Sequence, residues 1–204
     1  MTDNYTKIVQ QNLDRLYQDL PEDFADNLPG RKKGDRITFK AFGQTCTIEP
    51  GGISLGSGPQ NPVFGILISL YALNARPDPC LAEPLKAFKE FPDSLPYAGA
   101  FATHTEQVLV PHTARIKHTV PGILAAMDGA HAPRGTGGDF AFIVHPLPKI
   151  ALCYIFYEAD DDFPASVTCL FSNNARLFLP VDGLADVGEY CSKTILERIR
   201  RPHA

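Results

Sequence analysis

The stretch DFAFIVHPLPKIALCYIFYEADDDFPASVTCLF, residues 139–171, decides the fold of this chain. It contains three runs rich in β-branched and aromatic residues, DFAFIVH (139–145), KIALCYIFYE (149–158) and ASVTCLF (165–171). Because the connections between them are short, the three runs predict an antiparallel meander. The middle run is apolar at nearly every position, so we expect it to be the central strand and to be covered on both faces.

Helices are predicted on either side of this meander along the chain. Apolar stripes at helical spacing predict amphipathic helices over residues 4–20 and from about residue 182 to residue 200. Residues 63–75 are apolar nearly all round and predict a buried helix. A short helix is predicted over residues 81–91, and residues 104–128 are predicted to be helical in two pieces, because prolines interrupt the hydrogen-bond ladder.

A second β element is predicted near the N-terminus. RITFKAF (36–42) and TCTIE (45–49) alternate apolar and polar side chains on either side of a glycine, which predicts a β-hairpin. The predicted class is therefore α+β, with an antiparallel sheet of this hairpin plus the three-stranded meander packed against several helices. The 18 prolines and 16 glycines are scattered and mark no linker, so we expect residues 1–204 to form one domain.

Composition narrows the classes of partner and the compartment. A net charge of −4 offers no broad cationic face for phosphates, so no nucleic acid is expected as a partner. The longest apolar stretch, residues 63–73, is too short to span a bilayer, so no membrane association is expected. The N-terminus is polar and lacks the apolar stretch of a signal peptide, and the 5 cysteines lie far apart without a CxxC motif. These features favour a cytoplasmic protein with reduced thiols.

Several short motifs between about residues 60 and 190 follow one another in a distinctive order. FKEFP (88–92), with aromatic rings after it, precedes the motifs GGDFAF, LPKIAL, ADDDFPA, CLF and LPVDGLADVG. This order resembles the domain-of-unknown-function family 3786, whose FRE-type segment has arginine where this chain has Lys89. The resemblance implies a link to redox or corrinoid metabolism in anaerobes, because some members carry an iron–sulfur domain. It implies no catalytic residues, and this chain has no such four-cysteine module.

A glycine loop, GTGG (135–138), is the first candidate site. The backbone N–H groups of this loop, including that of Gly138, can bind an anion. Arg134 and Asp139 flank the loop, and Arg134 can form bidentate hydrogen bonds with the same anion. Phosphate-binding loops normally lead into a helix, whose N-terminus adds its dipole. This loop leads into a predicted strand, which favours a tight turn over an anion site.

The acidic loop that joins the second and third strands is another candidate. Asp160, Asp161 and Asp162 repel one another, so they require a cation, backbone donors or open water. Calcium loops place their ligands at every second residue and add a glutamate, and neither feature is present here. A structural turn anchored by Phe163 is the favoured interpretation, and a ligand contact through Asp161 is the alternative.

Three histidines, His104, His112 and His118, lie eight and six residues apart. Metal ligands on one helix are three or four residues apart, so no shared metal site is predicted. A single imidazole is enough to ligate a tetrapyrrole, and His112 is the candidate for that role. A surface or hydrogen-bonded histidine is the commoner alternative.

Two cysteines lie on neighbouring predicted strands. Depending on the hairpin register, Cys153 and Cys169 share one face of the sheet and form a thiol pair, or they occupy opposite faces as buried apolar side chains. The sequence leaves their redox state and pairing open. It also contains no nucleophile elbow, HExxH motif, paired zinc ligands or P-loop, so no reaction is assigned.

The leading hypothesis is a ligand- or cofactor-binding accessory protein, with a tetrapyrrole or corrinoid as one conceivable cofactor. Its support comes from the resemblance, from glycine-rich loops such as GSGPQNP (56–62), and from a small-residue face of Gly65, Ser69 and Ala72. Two alternatives stay open. One is an enzyme that pairs a histidine of residues 104–118 with an aspartate of residues 160–162. The other is a protein-interaction module in which Phe88, Phe91, Tyr97 and Phe101 form an exposed aromatic patch. The candidate ligand-binding residues are His112, Arg134, Gly138, Asp139 and Asp161.

Overall fold

The structure, a computed structural model, describes residues 2–58 and 61–200 of the chain. None of the helices in these two ranges combines the length and the hydropathy that a bilayer span requires. The α-helices are, in chain order, α1 (Thr2–Gln18), α2 (Phe24–Asn27), α3 (Pro62–Leu73), α4 (Leu95–Phe101), α5 (Thr113–Ala126) and α6 (Val181–Arg200).

The strands form two antiparallel sheets. The first has the order β1-β2-β3-β4 and the second the order β5-β9-β8-β7-β6, so the predicted α+β class is confirmed. The strands are β1 (Arg31–Lys33), β2 (Arg36–Ala41), β3 (Gln44–Glu49), β4 (Gly52–Leu55), β5 (Lys86–Ala87), β6 (Ala130–His131), β7 (Phe140–Leu147), β8 (Ile150–Tyr157) and β9 (Ser166–Phe171).

The meander of β7, β8 and β9 forms as predicted, with β8 at its centre. Every residue of β8 is buried except Tyr157, the last one, which is 44% exposed. One face of the sheet, which includes Phe142 and Tyr154, belongs to the main hydrophobic cluster. On the other face, neighbours such as Ile143 and Leu170 are only half-buried, so that side is covered more thinly.

The predicted hairpin is confirmed as β2 and β3, but it lies in a sheet of its own, extended by β1 and β4. The backbone N–H of Phe42, in the hairpin turn, donates to the carbonyl of Pro146 over 2.7 Å. Pro146 lies where the β7–β8 register shifts between Val144 and Leu147. The two sheets therefore meet at this irregularity instead of continuing one another's ladders.

The small-residue face of α3 packs against α1. A Cβ atom at Gly65 would lie 3.0 Å from a methyl group of Val9, and the Ser69 hydroxyl accepts a hydrogen bond from the Asn12 amide over 2.9 Å. Ala72 is buried as well. Close helix packing, the alternative to a ligand surface, accounts for this face.

Two helix predictions require correction. Residues 81–91 do not form a helix: they run extended, pair with β9 through β5, and form only a single 3-10 turn at Phe88–Glu90. Pro84 removes a backbone donor inside this segment, which disfavours a helix. Residues 95–126 are helical without a gap, since α4 continues through a π-helical turn (Ala102–Glu106) and a 3-10 turn (Gln107–His112) into α5. Pro111 lies in the 3-10 turn, whereas Pro121 lies inside α5 without ending it.

Candidate functional site

The π-helical turn Ala102–Glu106 is held in place by the central strand and by α6. The Ser192 hydroxyl on α6 donates to the Thr105 carbonyl over 2.7 Å, and the Tyr154 hydroxyl on β8 lies 3.1 Å from the same Ser192 oxygen. All three residues are buried. Isolated π-helical turns of this kind occur frequently at functional sites.

A glycine allows α6 to approach this turn closely. A Cβ atom at Gly188 would lie 2.6 Å from Cε2 of Phe101 and 2.7 Å from the hydroxyl oxygen of Thr105. Contacts that close do not occur with real side chains, so the position requires glycine for α6 to pack where it does.

The last residue of the π turn is Glu106, whose carboxylate reaches β9. Its Oε1 accepts a hydrogen bond from the backbone N–H of Cys169 over 2.9 Å, and Oε2 has no hydrogen-bond partner among the described residues. Burial raises the pKa of the Glu106 carboxyl above its ordinary value, and the bond from Cys169 acts in the opposite direction. This carboxylate is therefore partly desolvated, and one of its two oxygens is bonded to the backbone of β9.

Glu106 lines a cleft of about 310 Å³ next to β9. The wall is mostly apolar and includes three alanines and the rings of Phe88 and Phe101, which stack at 4.3 Å with an interplanar angle of 8°. The other polar side chains of the lining are Lys89 and Thr168. The arrangement offers a hydrogen-bond acceptor in an apolar pocket, with an ammonium group elsewhere in its wall.

The predicted glycine-loop residues lie in the connection between β6 and β7, next to the end of β8. Arg134 is exposed. Gly138 has φ of +75°, and a Cβ atom there would lie 2.7 Å from the Phe156 carbonyl. The Asp139 N–H donates to that carbonyl over 2.8 Å, and Oδ2 of Asp139 accepts the N–H of Glu158 over 2.6 Å. Gly138 and Asp139 thus fasten the start of β7 to the end of β8.

The acidic hairpin is a structural turn. Oδ1 of Asp160 accepts the backbone N–H groups of Asp162 (2.9 Å) and Phe163 (2.7 Å), while Asp161 points to solvent without a described partner. Phe163 is 71% exposed, so the expectation that it anchors the loop is wrong. Within residues 2–58 and 61–200, no three His, Cys, Asp or Glu side chains are placed to hold a metal ion.

The histidines are separated from the Glu106 cleft. His112 is half-buried at the end of the 3-10 turn that precedes α5, and it does not line the Glu106 cleft. Among the described residues, no hydrogen bond or ion pair joins His104, His112 or His118 to the aspartates at 160–162. The structure thus shows no hydrogen bond or ion pair between the side chains that the enzyme hypothesis pairs, although Lys117 of the first segment forms an ion pair with Glu158, two residues before the acidic loop.

The register of the central hairpin places the two neighbouring-strand cysteines on opposite faces. Cys153 is opposite Leu170, and Cys169 is opposite Tyr154, so the two thiols are one residue out of register. All 5 cysteines are free. The alternative of two buried, unpaired thiols is therefore the correct one.

The proposed aromatic interaction patch does not exist at the surface. Phe88, Phe91 and Phe101 are buried around Phe171, and only Tyr97, at 38% exposure, faces solvent. Of these rings, Phe88 and Phe101 line the cleft instead of forming a docking face.

The glycine-rich loop before α3 ends in an ordinary helix cap. The side chain of Asn61 accepts the N–H groups of Val63 (3.0 Å) and Phe64 (3.4 Å). Pro59 and Gln60 of this loop lie outside the described residues.

Sequence reasoning missed Glu106 and Thr168 as site residues. Phe88 and Lys89 belong to the FKEFP segment that carried the family resemblance, and this was the available signal for the cleft. Glu106 lies in THTEQ, a segment in which the nearby histidines are the more obvious candidate ligands. Nothing in that local pattern indicates a π-helical turn.

Comparison with known proteins gives one match. Neither a curated protein nor a solved structure matches this chain. The model of a family described as "Domain of unknown function (DUF3786)" matches residues 20–194, a longer range than the motifs between about residues 60 and 190 that first suggested it. With a match over most of its length, the chain belongs to the domain-of-unknown-function family DUF3786.

Proposed function

We propose that this protein is a cytoplasmic ligand-binding accessory protein that holds a small organic molecule in the Glu106 cleft. The ligand has an apolar body, which packs against Phe88 and Phe101, and a hydrogen-bond donor, which meets Oε2 of Glu106. One observation carries the proposal: a partly desolvated carboxylate with one unused oxygen faces an apolar cleft. The free thiols support a reducing compartment.

The energetics favour a donor-bearing ligand over a purely apolar one. A polar group in a partly apolar site is costly unless it is hydrogen-bonded, and hydrogen bonds to charged groups contribute about 1.5–3 kcal/mol. A cleft of about 310 Å³ lies at the small end of the usual range for ligand pockets, so a compact molecule is the appropriate size. Lys89 favours an acceptor or anionic substituent at the far end of the ligand.

The cleft does not fit a tetrapyrrole that is ligated by histidine. No histidine lines it, and His112 lies elsewhere. The association with redox or corrinoid metabolism therefore stays a prediction from the family resemblance. The visible spectrum and the native mass spectrum of protein purified without oxygen test that association directly.

Nuclear magnetic resonance titration with two isomeric probes tests the proposed site. Benzyl alcohol carries a donor hydroxyl, whereas its isomer anisole carries none. Because the Cys169 N–H is bonded to Glu106, its amide resonance reports on any ligand that reaches this carboxylate. We expect benzyl alcohol to shift the Cys169 and Thr168 amides and to bind at least 10-fold more tightly than anisole, about 1.4 kcal/mol.

Two variants locate the effect. Glu106→Gln keeps the size of the side chain and an acceptor oxygen but removes the charge, and it should reduce the preference for benzyl alcohol. Glu22→Gln, at an exposed glutamate before α2, should leave it unchanged. Equal binding of the two probes, or a Cys169 amide that neither probe shifts, would overturn the proposal.

A further inference from the structure

A larger cavity than the Glu106 cleft lies where the first sheet meets α3 and α6. It has a volume of about 350 Å³, which is within the usual range for ligand pockets. Its walls are the turn between β2 and β3, the loop that leads into α3, and the C-terminal half of α6. None of its described lining residues lines the Glu106 cleft, so this cavity is a separate feature and does not rest on the proposed function.

A cluster of three aromatic rings forms the base of this cavity. Phe42, Phe64 and Tyr190 pack pairwise with centroid distances of 5.8–5.9 Å and interplanar angles of 54–78°. Tilted and edge-to-face contacts of this kind are a favoured geometry for aromatic pairs. The two phenylalanines are buried, whereas Tyr190 is half-buried. The ring of Tyr190 is therefore held in the cavity wall by two buried rings.

Phe42 has an unusual backbone conformation beside the cavity. Its φ is +50° and that of Gly43 is +74°, so the two residues form a left-handed turn that joins β2 to β3. Such turns prefer asparagine or aspartate before the glycine, and a bulky residue with positive φ is an outlier. Strained residues cluster at ligand sites. This one places the Phe42 ring in the base of the cavity and begins β3 with Gln44 at the rim.

Two side-chain carboxamides line the cavity and have unused hydrogen-bonding groups. Oδ1 of Asn61 accepts the N–H groups of Val63 and Phe64, which leaves Nδ2 as a donor without a partner among the described residues. The Gln44 carboxamide has no hydrogen bond in the described part of the chain. It lies over Gly56, where a Cβ atom would be 2.5 Å from Oε1 of Gln44. The cavity thus offers a donor from Asn61 and an acceptor from Gln44.

The charged groups of the wall disfavour an anionic ligand. Lys193 pairs with Glu189 at 2.5 Å, and its Nζ lies 5.6 Å from the centroid of the Tyr190 ring, so this ammonium group already has partners within the protein. Glu197 also lines the cavity and has no ion pair or hydrogen bond with any other described residue. A phosphate or carboxylate in the cavity would be repelled by the Glu197 carboxylate, whereas a neutral ligand would not.

We propose that this cavity binds a neutral aromatic heterocycle of the aminopurine class. The flat ring packs on Tyr190 and on Leu55, a partly buried side chain of the lining. The amino group of the ligand donates to Oε1 of Gln44, and a ring nitrogen accepts from Nδ2 of Asn61. Asparagine and glutamine recognise adenine in nucleic acids through the same donor and acceptor atoms. A volume of about 350 Å³ is at the small end of the range for ligand pockets, which suits one base with its sugar better than a dinucleotide.

A nuclear magnetic resonance titration with adenosine and purine riboside tests the inference. Purine riboside is adenosine without the exocyclic amino group, so it cannot donate to Gln44. Because the Val63 and Phe64 N–H groups are bonded to Asn61, their amide resonances report a ligand that reaches this side chain. We expect adenosine to shift both amides and to bind at least 10-fold more tightly than purine riboside. The Cys169 amide, which reports on the Glu106 cleft, should not shift.

Asn61→Asp is the sharpest variant, because it keeps the oxygen that caps α3 and removes the Nδ2 donor. It should weaken adenosine binding at least 5-fold, while the melting temperature stays the same or rises, since a negative charge at a helix N-terminus is stabilising. Gln44→Met keeps the length of the side chain and removes Oε1, so it should abolish the preference for adenosine over purine riboside. Gln18→Met, at an exposed glutamine of α1, is the matched control and should change neither affinity.

Glu106→Gln should leave adenosine binding intact, so failure at one site is distinguishable from failure at the other. Undetectable adenosine binding to the unaltered protein, or equal affinity for purine riboside, would overturn the inference. Tighter binding of adenosine 5′-monophosphate than of adenosine, or adenosine binding that Asn61→Asp and Gln44→Met leave unchanged, would overturn it as well.

Discussion

Glu106 and Cys169, 63 positions apart in the chain, are joined by a hydrogen bond of 2.9 Å from the Cys169 N–H to Oε1 of Glu106. Strand β5 pairs with β9 only at Leu170 and Phe171, so the edge of β9 continues beyond it. The carboxylate occupies the place that a longer β5 would fill. One side chain therefore both protects a sheet edge and faces the cleft.

The charge of Glu106 should reduce stability at neutral pH. Its folded-state pKa is raised above the ordinary value of 4.5, so the folded protein holds this proton more tightly than the unfolded chain does. The loss of unfolding free energy caused by the charged carboxylate is absent below pH 4.5. It develops as the pH rises through the raised folded-state pKa of Glu106. Glu106→Gln keeps an oxygen for the Cys169 N–H, so its unfolding free energy relative to the unaltered protein should increase over that interval. Urea denaturation at several pH values measures this difference, and a difference that shrinks with rising pH would contradict it.

Gly188→Ala should destabilise the protein by about 1–3 kcal/mol, because the new methyl group collides with Phe101 and Thr105. Gly99→Ala, at an exposed position of α4 with no heavy atom within 4 Å of the added methyl, is the matched control. That control should be neutral or stabilising by about 0.4–1 kcal/mol. Thermal melts of the two variants measure both effects, and equal melting temperatures would show that α6 does not pack closely on the π turn.

Gly138→Ala should cost more than Gly135→Ala. Both glycines have positive φ, +75° and +90°, so each alanine pays about 1–2 kcal/mol for the left-handed conformation. Only the methyl group at Gly138 also meets the Phe156 carbonyl and the Ile155 side chain, each at 2.7 Å. Denaturant midpoints compare the two variants. A larger loss of stability in Gly135→Ala than in Gly138→Ala would contradict the role of Gly138 in joining β7 to β8.

The buried thiols should resist alkylation in the native state. Burial raises the pKa of Cys153 to about 11 and that of Cys46 to about 12, so their reactive thiolate forms are scarce at pH 8. Cys80 is half-buried and should react first with iodoacetamide. Mass spectrometry of native and urea-unfolded samples counts the labels, and rapid native labelling of Cys153 would contradict the assigned register and burial.

The central sheet was predictable because its signal is local. The unbroken apolar run around Tyr154 identifies β8 as the covered central strand, and alternation in residues 36–49 identifies the hairpin. The division into two sheets was not predictable, since it depends on the contact between Phe42 and Pro146, about a hundred residues apart. The helix predicted over residues 81–91 is wrong, because the helix-forming residues there favour a helix locally. The strand β5 that forms instead depends on pairing with β9, which is distant in the sequence.

The site was less accessible to sequence reasoning than the fold. Glycine and acidic loops point to Arg134, Gly138, Asp139 and Asp161, and the structure shows that Gly138 and Asp139 hold the start of β7 against the end of β8. Glu106 is recognisable as a site residue only from the structure, in which the π-helical turn places its carboxylate against β9. A single glutamate between polar residues has no pattern that distinguishes it from a surface residue.

The titration of the Glu106 side-chain carboxyl carbon by ¹³C nuclear magnetic resonance tests the central claim most directly. Glu106→Gln identifies the resonance by its disappearance. The account predicts a pKa above 4.5 in the free protein, because burial penalises the charged form. It also predicts that saturating benzyl alcohol lowers that pKa, because a donor stabilises the carboxylate. A pKa at or below 4.5 in the free protein, or a pKa that benzyl alcohol leaves unchanged, would contradict the account.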